Sequence, residues 1–402
     1  MNELKILLVE PFYESDYLPL GLMKIARYWK NIGAEVRYKK GEAGFDFVFK
    51  PDMIYITSLF TWDYKIVVQT VHSYLRTYPE AQVFLGGICA TLLKEDFEKE
   101  FVDFKNFKLH TGLEKNFEKY LPDYSLFPKT DYFIGFTSRG CPRRCGFCMV
   151  HKHEPEYEEY SNWKELVIDY DLMYFKKRLI LWDNNFLAST PEHFDRVCQE
   201  LSAFGKRFKI DFNQAIDCRL FTEEKAKGLA KVNLEFLRFA FDGMQEDKFF
   251  QNAMKLARDN GIECEARIYV LYGFADTPED FYYRLLEIAK LNCVAFPMKY
   301  QPLNSKEKSN FIGKNWSEKT LLGFKRLSHN HYPHGVIITG VYSTMNENTL
   351  FTIDYFYKVF GKTPEEFKNK IENYKGSKII SKDRNNFNLN SFFGGEENAK
   401  PI

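Results

Sequence analysis

The sequence predicts an α/β protein: an N-terminal doubly wound, Rossmann-like parallel sheet, then a partial (βα)6 TIM barrel and a mostly helical C-terminal extension. Two observations carry this prediction. Apolar, strand-like runs alternate with helical patterns twice along the 402 residues, and the second series contains six candidate strands. Such alternation is typical of parallel sheets covered by helices. A series of six βα units would place a functional site at the carboxyl ends of its strands.

The first series occupies the start of the chain. LKILLV has the continuous apolar character of a buried parallel strand, and the helical pattern after it stops at a glycine. The predicted strands and helices, in chain order, are 4–9, 20–33, 53–58, 64–78 and 82–87. We therefore assign residues 1–93 to the first domain and the charged stretch 94–131 to a linker.

The second series fills residues 132–303, the predicted barrel. Its six candidate strands are 132–138, 178–182, 209–213, 235–241, 264–272 and 295–300. Thr190-Pro191 and Thr277-Pro278 each place a cap residue before a proline, which is typical of a helix start. Residues 304–380 form a C-terminal region with a predicted strand over 335–340 and a capped helix over 363–374, and 381–402 are predicted to be a loosely ordered tail.

Composition and charge narrow the class of protein. Hydrophobic residues make up 45% and charged residues 28%, which is ordinary for a globular enzyme, and the net charge of +1 indicates no basic nucleic-acid surface. No apolar run reaches the ~20 residues that span a bilayer, and the N-terminus lacks a secretory signal pattern. We therefore expect a cytoplasmic protein without membrane association.

Three of the eight cysteines fall within eight positions, in RGCPRRCGFCMV. In a reducing compartment such a cluster indicates metal binding or catalysis. The other cysteines stand singly in apolar surroundings, and we predict that they are inert core thiols: Cys89, Cys198, Cys218, Cys264 and Cys293.

Two kinds of metal site are compatible with Cys141, Cys145 and Cys148. One is a structural zinc site completed by His151 or His153. The other is a [4Fe-4S] cluster with one iron not bound by the protein. The position of the cysteines, directly after the first strand of the barrel series, favours the cluster, because that rim is where a barrel places its chemistry. The group HNHYPH (329–334) has ligand-type residues but no cysteine or acidic partner at ligand spacing.

The spacing C-x3-C-x2-C, with Phe147 before its last cysteine, resembles the signature of the radical S-adenosylmethionine (SAM) superfamily. The resemblance implies that the three cysteines hold a [4Fe-4S] cluster and that SAM chelates the open iron through its amino and carboxylate groups. The reduced cluster then cleaves SAM to a 5'-deoxyadenosyl radical, which abstracts a hydrogen atom. A reductant such as flavodoxin or ferredoxin is implied as a partner.

Further segments extend the resemblance over roughly residues 1–303. WDNNF, FNQAIDCRLFTEEKA and YVLYGFADTPEDFYYRL resemble elements of the branch that includes cobalamin-dependent methylases and methylthiotransferases. That superfamily's Gly-Gly-Glu element is absent, and Asp183, Asn184 and Asn185 occupy its place. The candidate SAM-contacting residues are Phe147, Asp183, Asn184, Asn185, Asn213, Gln214, Asp242, Arg267, Tyr272 and Gly273.

Four of the SAM candidates also have a structural explanation. Arg267, proposed for the SAM carboxylate, could instead pair with an internal acid, and Asn213 and Gln214 could cap local turns. Asp242 precedes Gly243, so it could start a helix.

The first domain is similar to the cobalamin-binding-type domain fused to many radical SAM proteins, although the Asp-x-His-x-x-Gly motif is missing. Gly86 and Gly87 end a strand where a corrin could approach the backbone closely. Cobalamin is therefore an optional third cofactor, and the alternative is a sheet that shapes the substrate site or docks a partner.

These observations predict a radical SAM enzyme that modifies an unreactive C–H position of an unidentified small molecule or peptide, with cobalamin-dependent methylation as one form of the reaction. The nearest alternative is rearrangement, oxidation or coupling without cobalamin. A methylthiotransferase is disfavoured, because neither a second cluster's cysteines nor an RNA-binding barrel is visible. A non-catalytic, zinc-stabilised binding protein is the alternative from a different class.

Overall fold

The computed structural model describes residues 3–15, 17–44, 48–167, 177–342 and 349–376. The chain divides into two compact units, one formed by residues 1–193 with 301–310 and the other by 194–300 with 311–402. None of the helices within the described ranges is long and apolar enough to cross a membrane.

The first unit begins with a five-stranded parallel sheet. Its strands are β1 (Lys5–Glu10), β2 (Glu35–Lys40), β3 (Met53–Ser58), β4 (Gln82–Gly87) and β5 (Phe107–Leu109). Their order is β2-β1-β3-β4-β5. The chain reverses its winding direction between β1 and β3, and ligands bind doubly wound sheets outside the carboxyl ends of the strands at such a reversal.

The apolar run of β1 is explained by burial on both faces of the sheet. Ile6 and Leu8 join one apolar cluster, and Leu7 and Val9 join another on the opposite face. Amphipathic helices cover the two faces because successive side chains of a strand point in opposite directions. The helices here are α1 (Leu20–Asn31), α2 (Tyr64–Thr77), α3 (Ile88–Leu92), α4 (Lys94–Glu100) and α5 (Lys115–Glu118).

The first two strands predicted for the barrel belong to this unit. The elements are β6 (Tyr132–Gly135), β7 (Ser138–Arg139), α6 (Val150–His153), β8 (Glu158–Glu159), α7 (Trp163–Val167) and β9 (Arg178–Leu181). β6 and β9 pair in parallel, whereas β7 and β8 pair antiparallel. Leu20 of α1 packs in one cluster with Ile134 and Ile180, and this shared core explains why the strands group with the N-terminal sheet.

The second unit continues the strand–helix alternation. Its elements are α8 (Pro191–Ala203, which starts in the first unit), β10 (Lys209–Phe212), α9 (Glu223–Leu229), β11 (Leu237–Ala240), α10 (Phe249–Asp259), β12 (Ala266–Tyr272), α11 (Pro278–Lys290) and β13 (Val294–Lys299). β12 pairs in parallel with both β11 and β13, and Ile210 of β10 forms an isolated parallel bridge with Leu234, three residues before β11. The Thr277 hydroxyl caps α11 by accepting from the Asp280 amide, as the Thr-Pro pattern predicts.

The C-terminal region belongs to the same unit. It contains α12 (Glu318–His331), β14 (Gly340–Tyr342), β15 (Thr349–Phe351), α13 (Ile353–Phe360) and α14 (Pro364–Asn373). Phe324, Phe360 and Phe367 pack against one another, with ring centroids 5.9 to 6.3 Å apart. The high aromatic content, 17%, thus has a packing use here.

All six strands predicted for the barrel series are present, within three residues of the expected bounds, in a mixed α/β fold with parallel sheets. The helix predicted over 363–374 is present as α14. The run 335–340 contributes only an antiparallel bridge of Ile337 to Ala295 and the first residue of β14. The tail 381–402 lies outside the described residues. The predicted domain limits after residues 93, 131 and 303 stay predictions.

Candidate active site

The three cysteines lie on one loop closed by a short antiparallel pair. β7 and β8 bring Ser138 opposite Glu159 and Arg139 opposite Glu158, and residues 140–157 form the loop between them. The thiols of Cys141, Cys145 and Cys148 are all partly exposed. The Cys148 amide donates to the Cys145 carbonyl at 3.0 Å. All three cysteines are therefore carried on one loop that a strand pair anchors.

Gly140 sets the conformation of this loop at its first residue. Its φ is +72°, in the left-handed region, and a Cβ added here would lie 1.9 Å from the carbonyl oxygen of Glu156. Only glycine fits this close approach of two backbone segments. The position immediately before Cys141 is thus fixed by backbone packing.

The carboxylate of Glu154 ties the loop together from inside. Its Oε2 accepts from the Gly140 amide at 2.8 Å and from the Asn184 side chain at 2.9 Å. Its Oε1 lies 2.9 Å from Nη2 of Arg139. Charge-assisted hydrogen bonds of this kind are stronger than neutral ones, so Glu154 fixes both the start of the loop and the turn after β9.

A buried charge chain connects this loop to the N-terminal helices. Glu118 Oε1 lies 2.8 Å from Nζ of Lys24 and 3.6 Å from Nε of Arg139, and it accepts from the Tyr160 hydroxyl at 2.9 Å. Burial alone would raise the pKa of Glu118, but Arg139 and Lys24 outweigh it and hold the pKa below its usual value. Glu118 therefore stays ionised and neutralises both cations.

Asp183 holds the turn that enters the loop. Its carboxylate, 3% exposed, accepts from the backbone amides and the hydroxyls of both Thr137 and Ser138, at 2.5 to 3.1 Å. These bonds engage both oxygens. Asp183 thus acts here on the protein's own backbone between β6 and β7.

The two asparagines after Asp183 point to different partners. Asn184 donates to Glu154, as described above, whereas Nδ2 of Asn185 lies 3.6 Å from Sγ of Cys141 as a hydrogen-bond donor. Phe147 is half-buried beside Cys148. The structure therefore places the predicted Asp183–Asn185 segment around the cysteine loop.

The histidines weighed as zinc ligands lie on α6. Nδ1 of His153 is hydrogen-bonded to the Thr91 hydroxyl at 3.0 Å, and burial lowers the pKa of His153 below its usual value. In the ranges that the structure describes, no group of three or more His, Cys, Asp and Glu side chains is arranged to hold a metal ion. The chemistry of the three-thiol loop, rather than prearranged sulfur positions, is what indicates a metal.

The remaining predicted site residues lie in the second unit. Asn213 is buried after β10, and its carbonyl accepts from the Tyr269 hydroxyl at 2.9 Å. Tyr269 in turn receives a bond at 3.2 Å from Arg238, which pairs bidentately with Asp211 at 2.6 and 2.7 Å. This buried chain orients the backbone at Asn213, while the Gln214 side chain is exposed.

Arg267 lies at the amino end of its strand. It is the second residue of β12, far from the carboxyl end at Tyr272. Its Nε lies 2.5 Å from Oε1 of Glu265, and its guanidinium stacks 3.3 Å from the centre of the Phe236 ring. The structure thus contains the internal ion pair that the sequence left open for Arg267, and its role as a SAM contact stays a prediction.

Tyr272 and Gly273 end β12 in different environments. Tyr272 is 6% exposed and packs against Phe281, Phe324 and Trp316. Gly273 has φ +79°, and its amide donates to Asp276 Oδ1 at 3.0 Å. Tyr272 is thus packed in the core, and the ligand contacts predicted for Tyr272 and Gly273 stay predictions.

Asp242 is a half-buried carboxyl two residues after β11. Its Oδ1 accepts from the Leu271 amide at 3.0 Å, and burial raises the pKa of Asp242 from 3.8 to about 6. The native state therefore holds a proton that the unfolded state releases between pH 4 and 6, so stability falls as the pH rises through this window.

We expect Asp242→Asn, which keeps an acceptor but cannot titrate, to stabilise the protein above pH 6 by about 1–2 kcal/mol. The effect should vanish near pH 4. Thermal unfolding at pH 4, 5.5 and 7.5 measures it, and the same change at exposed Asp103 controls for the loss of one negative charge. Equal stability of wild type and Asp242→Asn at pH 7.5 would contradict the claim that the native state raises the pKa of Asp242.

The carboxyl edge of the N-terminal sheet carries exposed aromatic surface. Phe60 and Trp62, after β3, are half-buried and stack with ring centroids 4.5 Å apart. Phe12, after β1, is 76% exposed. Gly87, where a close corrin approach was predicted, has φ +104°, and an added Cβ would lie 2.2 Å from the Ser58 carbonyl oxygen, so packing against β3 explains this glycine.

Sequence reasoning missed Glu154, Glu118 and Lys24, the residues that hold the cysteine loop. Glu154 follows Cys148, the last cysteine of the motif, by six residues, and no pattern marks it among neighbouring acids.

Of the scattered cysteines, Cys89, Cys198, Cys218 and Cys293 are buried as predicted, and Cys264 is half-buried.

Together the fold and the loop define an α/β protein with a doubly wound N-terminal sheet, a second series of parallel strands and a three-cysteine loop after the first of these strands. Among solved structures, the chain is similar to the radical S-adenosylmethionine methyltransferase TsrM from Kitasatospora setae, solved with a tryptophan substrate and the SAM analogue aza-SAM. The TM-score is 0.56 at 12% identity, over 91% of this chain and 83% of that one. The likeness extends over both units and shows the fold.

No protein-family model matches the sequence, and no curated protein sequence matches it.

Proposed function

We propose that this protein is a radical SAM enzyme in which Cys141, Cys145 and Cys148 hold a [4Fe-4S] cluster and SAM binds the fourth iron. The observation that carries the proposal is the three-thiol loop between β7 and β8, in a fold similar to that of a radical SAM methyltransferase. When bound and reduced, such a cluster would supply the electron that cleaves SAM to a 5'-deoxyadenosyl radical.

The donor set fits this group. Iron–sulfur clusters are held by cysteine thiolates, and the three partly exposed thiols lie within eight residues of one loop. Gly140, Glu154 and Asp183 fix the backbone on which these thiols are carried. In this proposal their role is to hold the loop while the cluster is assembled and while SAM enters.

Residues directly after β9 are proposed to contribute to SAM binding. Asn184 and Asn185 stand where the superfamily's Gly-Gly-Glu element would lie. The other residues predicted to contact SAM stay predictions: Phe147, Asp183, Asn213, Gln214, Asp242, Arg267, Tyr272 and Gly273. The proposed electron donor is a small reductase partner such as flavodoxin or ferredoxin. The proposed substrate is a small molecule or peptide with an unreactive C–H bond.

The first test is metal analysis of protein purified and reconstituted under anaerobic conditions. We expect about four iron and four sulfide per chain, in line with a single [4Fe-4S] cluster. Zinc without iron and sulfide would instead support the non-catalytic, zinc-stabilised alternative.

Cobalamin-dependent methylation is the proposed form of the reaction. Its support is the β2-β1-β3-β4-β5 sheet, whose carboxyl edge carries Phe12, Phe60 and Trp62 as an apolar surface suited to a flat macrocycle. Nζ of Lys308 lies 5.4 Å from the Trp62 ring and adds a positive charge suited to an anionic group. Rearrangement, oxidation or coupling without cobalamin is the alternative.

We expect Trp62→Ala to weaken hydroxocobalamin binding about tenfold, because a lost aromatic contact of about 1.4 kcal/mol corresponds to that factor. Ultraviolet-visible titration under anaerobic conditions measures the affinity. Phe249→Ala, which removes another exposed ring in the second unit, is the matched control and should bind as wild type does. Absence of corrin binding by the wild type would favour the cobalamin-independent alternative.

A further inference from the structure

Asn185 makes a contact that SAM recognition does not require. Its Nδ2 donates a hydrogen bond to Sγ of Cys141 at 3.6 Å. The Asn185 residue is 3% exposed. A sulfur acceptor is larger than oxygen, so 3.6 Å is a normal length for such a bond. The amide therefore reaches one of the three thiols from inside the protein rather than through solvent.

The local backbone holds this amide in place. Asn185 is the residue before a short 3-10 turn, Phe186–Ala188, and the Ala188 amide donates to its carbonyl at 3.1 Å. Phe186 and Leu187 in this turn are completely buried. Asp183, two residues earlier, is fixed by its bonds to Thr137 and Ser138. The donor is thus preorganised from both sides and cannot swing away at little cost.

A hydrogen bond to a cluster thiolate has a defined electrostatic consequence. Reduction adds an electron to the cluster, and a donor at sulfur stabilises the more negative state more than the oxidised one. Reduction potentials of iron–sulfur clusters accordingly depend on hydrogen bonds to the sulfurs, on solvent exposure and on net charge. Burial of the amide strengthens the effect, because little water competes for the donor.

We propose that Asn185 is a positioning residue that raises the reduction potential of the cluster by donating to the Cys141 sulfur. This inference rests on the proposed function, since it requires a cluster on the three thiols. It differs from the role implied by the sequence resemblance, in which Asn185 would face the amino group of SAM. If Asn185 donates to Cys141, its substitution changes the reduction potential of the cluster. If Asn185 contacts SAM, its substitution changes the affinity for SAM.

The test is a redox titration of reconstituted protein without SAM, followed by electron paramagnetic resonance of the reduced cluster. Asn185→Leu removes the donor at similar volume, and Asn185→Asp also places a negative charge beside the sulfur. We expect the equilibrium constant for cluster reduction to fall about tenfold in Asn185→Leu, which lowers the reduction potential by 59 mV for a one-electron couple. The reduction potential of Asn185→Asp should be lower still.

The matched control is Asn106→Leu, the same change in the same unit but outside the cysteine loop. Its side chain donates to the backbone carbonyls of Pro79 and Ala81, so the potential should stay at the wild-type value when iron content is equal. Iron and sulfide are measured for every variant. SAM affinity is determined separately by equilibrium binding.

Two results would overturn the inference. One is a wild-type potential in both Asn185 variants, with or without weaker SAM binding, which would assign Asn185 to SAM or to neither. The other is loss of iron from both variants, which would make Asn185 a structural support of the loop. A wild-type protein that binds no cluster would instead remove the proposed function itself.

Discussion

Cys145→Ala is expected to lower the iron and sulfide content of anaerobically reconstituted protein more than tenfold. Changes even to residues that only support a metal ligand typically cost 10- to 100-fold in metal affinity, so loss of a ligand itself should cost at least as much. Because the Cys145 side chain is partly exposed, its truncation leaves no core cavity. The metal-free variant should therefore have an unfolding temperature within a few degrees of that of the metal-free wild type.

The matched control for this prediction is Cys264→Ala. Cys264 is half-buried and stands outside the loop, so its removal tests whether loss of any thiol depletes iron. Full iron content in Cys145→Ala, or equal depletion in both variants, would contradict the assignment of the cluster to the loop.

Gly140→Ala is expected to abolish cluster assembly while leaving all three cysteines in the chain. The left-handed φ of +72° costs an L-residue about 1–2 kcal/mol. In addition, the new methyl group would lie 1.9 Å from the Glu156 carbonyl oxygen, so the backbone must move. Because this movement displaces the residue before Cys141 and its bond to Glu154, iron content after reconstitution should fall at least tenfold.

Gly33→Ala separates the two causes. Gly33 has φ +84°, but an added Cβ would meet nothing within 4 Å, so this variant carries the conformational cost without the clash. We expect it to lose about 1 kcal/mol of stability and to retain its cluster. Thermal unfolding and iron analysis distinguish the two variants. A Gly140→Ala protein with wild-type iron content would show that the loop conformation is not required.

The sequence predicted the local structure well because local patterns determine it. The apolar run of β1, the Thr-Pro start of α11 and the strand bounds of the second series all depend on neighbours in the chain. The three-cysteine loop was found because its residues lie within eight positions. Such features need no knowledge of distant contacts.

Residues that act through distant partners could not be predicted. Lys24 and Glu118 are 94 positions apart, and nothing in either segment indicates their contact with Arg139. Arg267 was placed correctly on β12, but its pairing with Glu265 could not be chosen in advance, because an apolar pattern shows that a strand exists and not which partner an internal charge finds. The division into units also depends on a core shared by Leu20 and Ile180.

The most direct measurement of the central claim is the formation of 5'-deoxyadenosine by reconstituted, dithionite-reduced protein incubated with SAM. The proposed function predicts this product by mass spectrometry in the wild type and in Cys264→Ala, and its loss in Cys145→Ala. A protein that carries a full complement of iron and sulfide, binds SAM and yet forms no 5'-deoxyadenosine would contradict the claim.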